Sequence, residues 1–231
     1  MVSTCGHGPV NVRHPRQVPI DSITIMAQIF NIHPDDPQPR LIQQAVERLR
    51  AGEVIVYPTD STYALGCHIG EKAALDRIRR IRQLNDRHNF TLMCSDLSEI
   101  STYARLNNSA YRLLKAYTPG PYTFILTATP EVPRRLMHPK RKTIGLRIPD
   151  NSVAQALLAG LGEPIMSTSL ILPGEDLPLS EPYELEDRVV NLVDMILESG
   201  ACGLEATTVV DLVDGAPVLI REGRGDASSF R

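Results

Sequence analysis

The chain has 231 residues, 42% of them hydrophobic and 22% charged, with a formal net charge of −3. That balance excludes a uniformly basic nucleic-acid binder, and the length gives room for one large domain or two small ones with a sizeable core. Cys5, Cys67, Cys94 and Cys202 form no C-x-x-C pair, so neither a zinc centre nor a dense disulfide framework is indicated. No apolar run approaches the roughly 18 residues of a membrane span, and a reduced, cytoplasmic setting is expected.

Residues 1–25 stand apart, with Gly6, His7, Gly8, Pro9, Pro15 and Pro19 and no periodic apolar pattern. They lack the apolar stretch of a signal peptide and are read as a disordered extension or a start codon set too early. The folded unit is expected over 26–231. A short strand is predicted at 28–32 and a helix over 39–51, with Leu41, Ile42, Ala45, Val46 and Leu49 on one face and Gly52 just past its end.

Residues 54–57 form a β-branched run that reads as a strand buried on both faces. Pro58 stops it, Thr59, Asp60, Ser61, Thr62 and Tyr63 follow, and Gly66 closes the segment. Ligands of α/β proteins sit beyond the carboxyl ends of strands, so this stretch suits the floor of a polar site; it also reads as an ordinary strand and turn. A second helix is predicted over 71–84, a strand over 90–94, and helices over 97–104 and 109–117. The turn Thr118-Pro119-Gly120-Pro121 feeds a strand over 122–128.

Next come a basic window at 134–142, a strand over 143–148 carrying Arg147, and a helix capped by Asn151 and ended by Gly162. Strands at 165–169, 193–197, 207–211 and 218–221 and a helix near 184–191 complete the pattern. About eight strands and five or six helices predict an α/β (α+β) domain, with a mixed twisted sheet flanked by helices.

Hydroxyl clusters at 59–63, Thr143, 167–169 and 207–208 fall in or at the ends of strands, with Arg82, Arg147 and Arg221 near other edges. Convergence of these groups makes a pocket suited to phosphates and a carboxylate, because arginine donates bidentate hydrogen bonds to both. No phosphate loop, dinucleotide fingerprint, nucleophile elbow or H-E-x-x-H occurs. His33, His68, His88 and His138 lack ligand-like spacing and read as surface or structural residues. Cys67 and Cys94 have no identifiable partner base. Arg134, Arg135, Lys140, Arg141 and Lys142, with Arg77, Arg79 and Arg80, read either as solvated loop and helix charges or as one face for duplex RNA phosphates.

Residues 57–66, Tyr-Pro-Thr-Asp-Ser-Thr-Tyr-Ala-Leu-Gly, resemble the P-T-E-T-x-Y-G-L-G signature of the YrdC-type threonylcarbamoyl-AMP synthases. Thr118-Pro119-Gly120-Pro121-Tyr122-Thr123 resembles that family's W-P-G-P-L-T, and Ile144-Gly145-Leu146-Arg147-Ile148-Pro149 its V-G-V-R-x-P. Glu205-Ala206-Thr207-Thr208-Val209-Val210-Asp211 and Arg221-Glu222-Gly223 are similar to its endings. The resemblance implies a single YrdC-like domain and a reaction in which L-threonine, bicarbonate and ATP give threonylcarbamoyl-AMP and pyrophosphate, the donor for t6A in tRNA, with Mg²⁺ on the nucleotide. By motif position it implies Ser61, Arg147 and Thr207 for threonine, with Arg147 on the carboxylate. Arg82, Thr143, Ser167, Ser169 and Arg221 are implied for the nucleotide, Thr207 and Arg221 lying toward the phosphates.

The chain departs from that pattern at three places. The family's Lys-x-Arg becomes Arg82-Gln83-Leu84, its Ser-Ala-Asn becomes Ser167-Thr168-Ser169, and a histidine becomes Cys94. These departures are similar to the YciO branch. The expected function is therefore a threonylcarbamoyl-AMP synthase-like nucleotidyltransferase. The alternatives are a weakly catalytic or noncatalytic binder of tRNA or double-stranded RNA, and a related carbamoyl or acyl transfer to another small substrate.

Overall fold

The computed structural model describes residues 26–85, 88 and 90–231; the reading of residues 1–25 lies outside them. Among the described residues, ten strands and six α-helices follow in chain order. They begin with β1 (Gln28–Asn31), α1 (Pro39–Arg50), β2 (Ile55–Tyr57), β3 (Ala64–His68), α2 (Lys72–Arg82), β4 (Thr91–Met93), α3 (Leu97–Tyr103) and α4 (Asn108–Tyr117). The chain continues with β5 (Tyr122–Thr127), β6 (Thr143–Arg147), α5 (Ser152–Leu161), β7 (Ile165–Ser169), α6 (Pro182–Arg188), β8 (Met195–Glu198), β9 (Thr208–Asp211) and β10 (Val218–Arg221). All ten strands join one sheet, ordered β1-β8-β2-β3-β7-β4-β6-β5-β9-β10. Four neighbouring pairs are parallel and five antiparallel. This is the mixed sheet expected from closely spaced terminal strands.

Helix ends follow their local chemistry. The Asn151 side chain accepts from Ala154 N at 3.0 Å at the start of α5, and Gly162 ends that helix at φ 73°, a conformation open to glycine. The strand β3 is absent from the sequence expectation, because Ala-Leu-Gly-Cys-His has weak β propensity. It is a strand because β2 and β7 pair with it on both sides, and pairing outweighs propensity.

The two faces of the sheet are covered unequally. On one face Val54, Val56, Leu65, Leu92, Phe124, Leu146, Met166 and Val210 join a continuous core with α2, α3, α4 and α6. On the other, Ile55, Tyr57, Ala64, Ile165, Met195 and Leu197 pack against α1 and α5. Those two helices do not reach the whole sheet. From β7 to β9 the alternate residues Ser167, Ser169, Thr91, Met93, Gly145, Arg147, Thr123, Ile125 and Val209 line a cavity instead. The period of two along each strand thus sends apolar residues into the large core and mostly polar ones into the cavity.

Tyr57 marks the border between core and cavity. Its ring packs with the α1/α5 core, and its hydroxyl meets Ser167 Oγ at 2.8 Å. Gly66, which pairs with Ser167, makes that reach possible: a Cβ there would lie 2.7 Å from the Tyr57 ring and 2.8 Å from the Ile165 side chain. We expect Gly66→Val to destabilise the protein by about 1–3 kcal/mol through overpacking. Urea unfolding checks this, with Gly70→Ala, where the nearest neighbour is a histidine ring atom at 3.6 Å, as the tolerant control.

Candidate functional site

The cavity has a volume of about 660 Å³, within the usual range of small-molecule sites. Its lining draws Arg82, Thr143, Arg147, Ser167, Ser169, Thr207 and Arg221 into one place. Ser61 stands behind Arg147, donor and acceptor 3.0 Å apart.

The loop between β2 and β3 is built around Thr59. Its Oγ1 accepts from Ser61 N and Thr62 N, both at 3.2 Å, and its hydroxyl donates to Thr62 O at 2.7 Å. Ser61 Oγ lies 3.1 Å from the same Thr59 oxygen. The loop therefore holds a fixed shape and presents Asp60 and Ser61 to β6. Tyr63 pins the segment after β8 over it, donating to Gly200 O at 2.6 Å and accepting from Ser199 N at 3.1 Å.

Arg147 is the buried charge of the site, with a side chain 7% exposed. Its Nη1 donates to Ser61 Oγ and its Nη2 pairs with Asp60 Oδ1. Burial pushes the guanidinium pKa down, while Asp60 acts to hold it up. Arg147 Nε and Asp60 Oδ2 are buried without hydrogen-bond partners among the described residues. The buried pair thus keeps one donor and one acceptor unspent.

Across the sheet, Thr207 Oγ1 lies 2.9 Å from Thr123 Oγ1. Arg221 donates to Thr207 O from Nε and Nη2, at 3.1 and 2.9 Å. On the opposite flank Arg82 donates to Ile171 O at 2.9 Å and to Thr168 Oγ1 at 2.7 Å. His88 Nε2 lies 3.3 Å from the same hydroxyl. Burial lowers the pKa of both Arg82 and Arg221. His88 is pushed down to about 4 by burial and by the nearby Arg82 and Arg79, so it is neutral at physiological pH.

Several sequence expectations change here. His88 and His138 line the cavity rather than the outer surface, whereas His68 pairs with Glu163 at 2.9 Å. Arg141 also lines the cavity, anchored to Asp211 at 2.6 Å. Arg134, Arg135, Lys140 and Lys142 lie outside the lining and are exposed, and Arg135 donates to Gly70 O. Arg77 does not belong to a free basic face: it holds Asp194 through contacts of 2.7 and 2.6 Å and ties α2 to the start of β8. Arg79 pairs with Asp76 and lies over the Phe90 ring.

The three departures have different meanings. Ser169 lines the cavity, Leu84 packs against the core, and Cys94 is fully buried on the core side of β4. Burial pushes Cys67 up to about 12 and Cys94 well above its ordinary value. Neither thiol is a nucleophile.

Sequence reasoning misses Asp60 as the counter-charge of Arg147. The acid is visible beside Ser61, but its partner lies 87 residues away. Thr91 and Thr123 are missed too, since single threonines inside strands carry no local signal. We expect Asp60→Ala to cost about 3–5 kcal/mol of stability, because it strands a buried guanidinium. Asp60→Ala/Arg147→Met should recover most of that loss in chemical denaturation.

A family model described as Sua5_yciO_yrdC, telomere recombination, matches residues 47–223. Escherichia coli YciO is 61% identical over 205 residues, covering 89% of this chain and all of that protein. Its crystal structure superposes with a TM-score of 0.86 over the same shares. A threonylcarbamoyl-AMP synthase of Stenotrophomonas maltophilia is 32% identical over 178 residues, covering 75% of this chain and 95% of the synthase. The crystal structure of P. abyssi Sua5 complexed with L-threonine is similar in fold. Its TM-score is 0.78 at 24% identity, with 84% of this chain and 57% of that chain covered.

Proposed function

Because the chain belongs to the Sua5/YciO/YrdC family, we propose that its cleft joins an amino acid, bicarbonate and ATP into a threonylcarbamoyl-AMP-type adenylate. The observation that carries this reading is the convergence of Arg82, Arg147 and Arg221 with Thr143, Ser167, Ser169 and Thr207 on one cavity. Among the described residues, no carboxylate and no thiol lines it. Such a site binds and orients anions and offers no protein nucleophile.

The division of labour follows the geometry. Arg147, backed by Ser61 and Asp60, receives the amino-acid carboxylate. The amine, once deprotonated, attacks CO2 derived from bicarbonate, and the resulting carbamate oxygen attacks the α-phosphorus while pyrophosphate leaves. Arg82 and Arg221, held by Thr168 and Thr207, balance the charge spreading onto the phosphate oxygens. Thr143, Ser167 and Ser169 hydrogen-bond the nucleotide.

Magnesium is not held by this protein's own side chains in that scheme. Among the described residues no group of three His, Cys, Asp or Glu could hold a metal ion. The cation fits as a companion of the nucleotide phosphates, and no step is assigned to it.

In an assay of pyrophosphate release with ATP, L-threonine and bicarbonate, omission of any one substrate should abolish the signal. Arg147→Ala should lower it about a hundredfold or more. A signal independent of the amino acid, or equal in Arg147→Ala, overturns the reading. Replacing threonine by other amino acids in the same assay separates the related transfer to another small substrate.

A second reading is binding of tRNA or duplex RNA, favoured by exposed Arg134, Lys140 and Lys142, which form no ion pair among the described residues. If it holds, Arg134→Glu/Lys140→Glu/Lys142→Glu should weaken binding across sequences. The slope of log affinity against log salt should become shallower by about 0.9 for each phosphate no longer neutralised. An unchanged salt titration rejects it.

A further inference from the structure

We propose that the turn at residues 138–142 is a phosphate-binding wall of the cleft. His138 donates from Nε2, and Arg141 from its guanidinium, to the phosphoryl groups of the nucleotide beyond the α-phosphate. The inference rests on the nucleotide reading above and adds to it two residues outside the motifs that carry the resemblance.

The turn is locked from inside. His138 Nδ1 accepts from Lys140 N at 3.3 Å and from Arg141 N at 3.1 Å. His138 N donates to Thr143 O at 2.8 Å, and Lys142 N to His138 O at 3.0 Å. Ala128 N donates to Lys142 O at 2.9 Å and ties the turn to the end of β5. Lys142 closes the loop at φ 56°, in the left-handed region that non-glycine residues rarely occupy and that gathers at functional sites.

These hydrogen bonds fix the chemistry of the ring. A nitrogen that accepts two backbone N–H groups carries no proton, so the neutral imidazole bears its proton on Nε2. His138 is a residue of the cavity wall, and Nε2 takes no part in the hydrogen bonds of its own turn. The turn therefore offers the cleft a donor rather than an acceptor.

Arg141 stands on the same turn and the same wall. Its Nη2 pairs with Asp211 Oδ2 at 2.6 Å, and Asp211 is itself buried and accepts from Val213 N at 2.9 Å. That pair orients the guanidinium and leaves further N–H donors on Nε and Nη1. An arginine held in this way loses less freedom when it meets an anion.

Position along the sheet says which anion. Within β6, Arg147 and Thr143 mark opposite ends of the strand, and the turn lies beyond Thr143. The amino acid is assigned to the Arg147 end, so the turn faces whatever extends furthest from it. The turn offers that end of the cleft one imidazole N–H and one cation. The outer phosphates fit the turn.

Calorimetric titration of wild type, His138→Asn, His138→Gln and Arg141→Gln with ATP, AMP and inorganic pyrophosphate tests the assignment. Asparagine keeps an acceptor for the Lys140 and Arg141 N–H groups but has no atom at Nε2, whereas glutamine places an N–H near that position. His138→Asn and Arg141→Gln should each weaken ATP and pyrophosphate about tenfold or more, the loss of one hydrogen bond to a charged group, and leave AMP unchanged. His138→Gln should restore most of the loss. A wild type that binds ATP and pyrophosphate while both weakening variants match it overturns this inference alone, as does equal weakening of ATP and AMP. A wild type that binds none of the three overturns the nucleotide reading and this inference with it.

Discussion

A charged guanidinium sits in the middle of a ten-stranded sheet, and much of the site is arranged around keeping it there. Arg147 is buried on β6 between core-facing Leu146 and Ile148. Taking its charge out of water costs several kcal/mol unless a counter-charge and hydrogen bonds offset it. Asp60 and Ser61 supply both. They can do so because Thr59 folds the β2–β3 loop onto itself and the segment after β8 clasps it through Tyr63. The hydroxyl-rich stretch after β2 is thus first a support for Arg147, and only Thr62 of it lines the cavity directly.

The cavity exists because one face of the sheet is only half covered. Helices α1 and α5 seal β1, β8 and β2, and Tyr57 ends that packed region by turning its hydroxyl to Ser167. Past that border the same strands that carry leucine and phenylalanine into the large core carry threonine, serine, glycine and arginine on the other side. Polar residues inside strands would be costly in a sheet sealed on both faces. Here they are the walls of an open cavity, and among the described residues the charges that line it are cationic. Arg82, Arg147 and Arg221 are each anchored by neighbouring oxygens, which leaves their positions set before a ligand arrives.

Much of this is legible in the chain. The amphipathic pattern of 39–51, the cap at Asn151 and the stop at Gly162 act over a few residues, and the structure carries them as read. The ordered motifs from Tyr57 to Gly223 point to the family and bring forward Ser61, Arg147, Thr207 and Arg221. The misses share one cause. β3 becomes a strand through its two neighbours, the acid at 60 finds its arginine 87 residues away, and Arg77 is taken up by Asp194 across the sheet. His138 reads as a structural or surface residue because its role depends on which nitrogen faces its own turn.

By itself, then, the sequence determined the alternation of elements, the family and the hydroxyl and guanidinium groups that meet in the cleft, since these follow from local periodicity, capping and contiguous motifs. Only the tertiary structure decided which charges are paired, which cysteines are inert in the core, and which basic residues belong to the cleft rather than the outer surface. Those outcomes depend on burial and on distances between strands that are remote in the chain, and the cost of an unpaired buried charge is set by neighbours that no local pattern records.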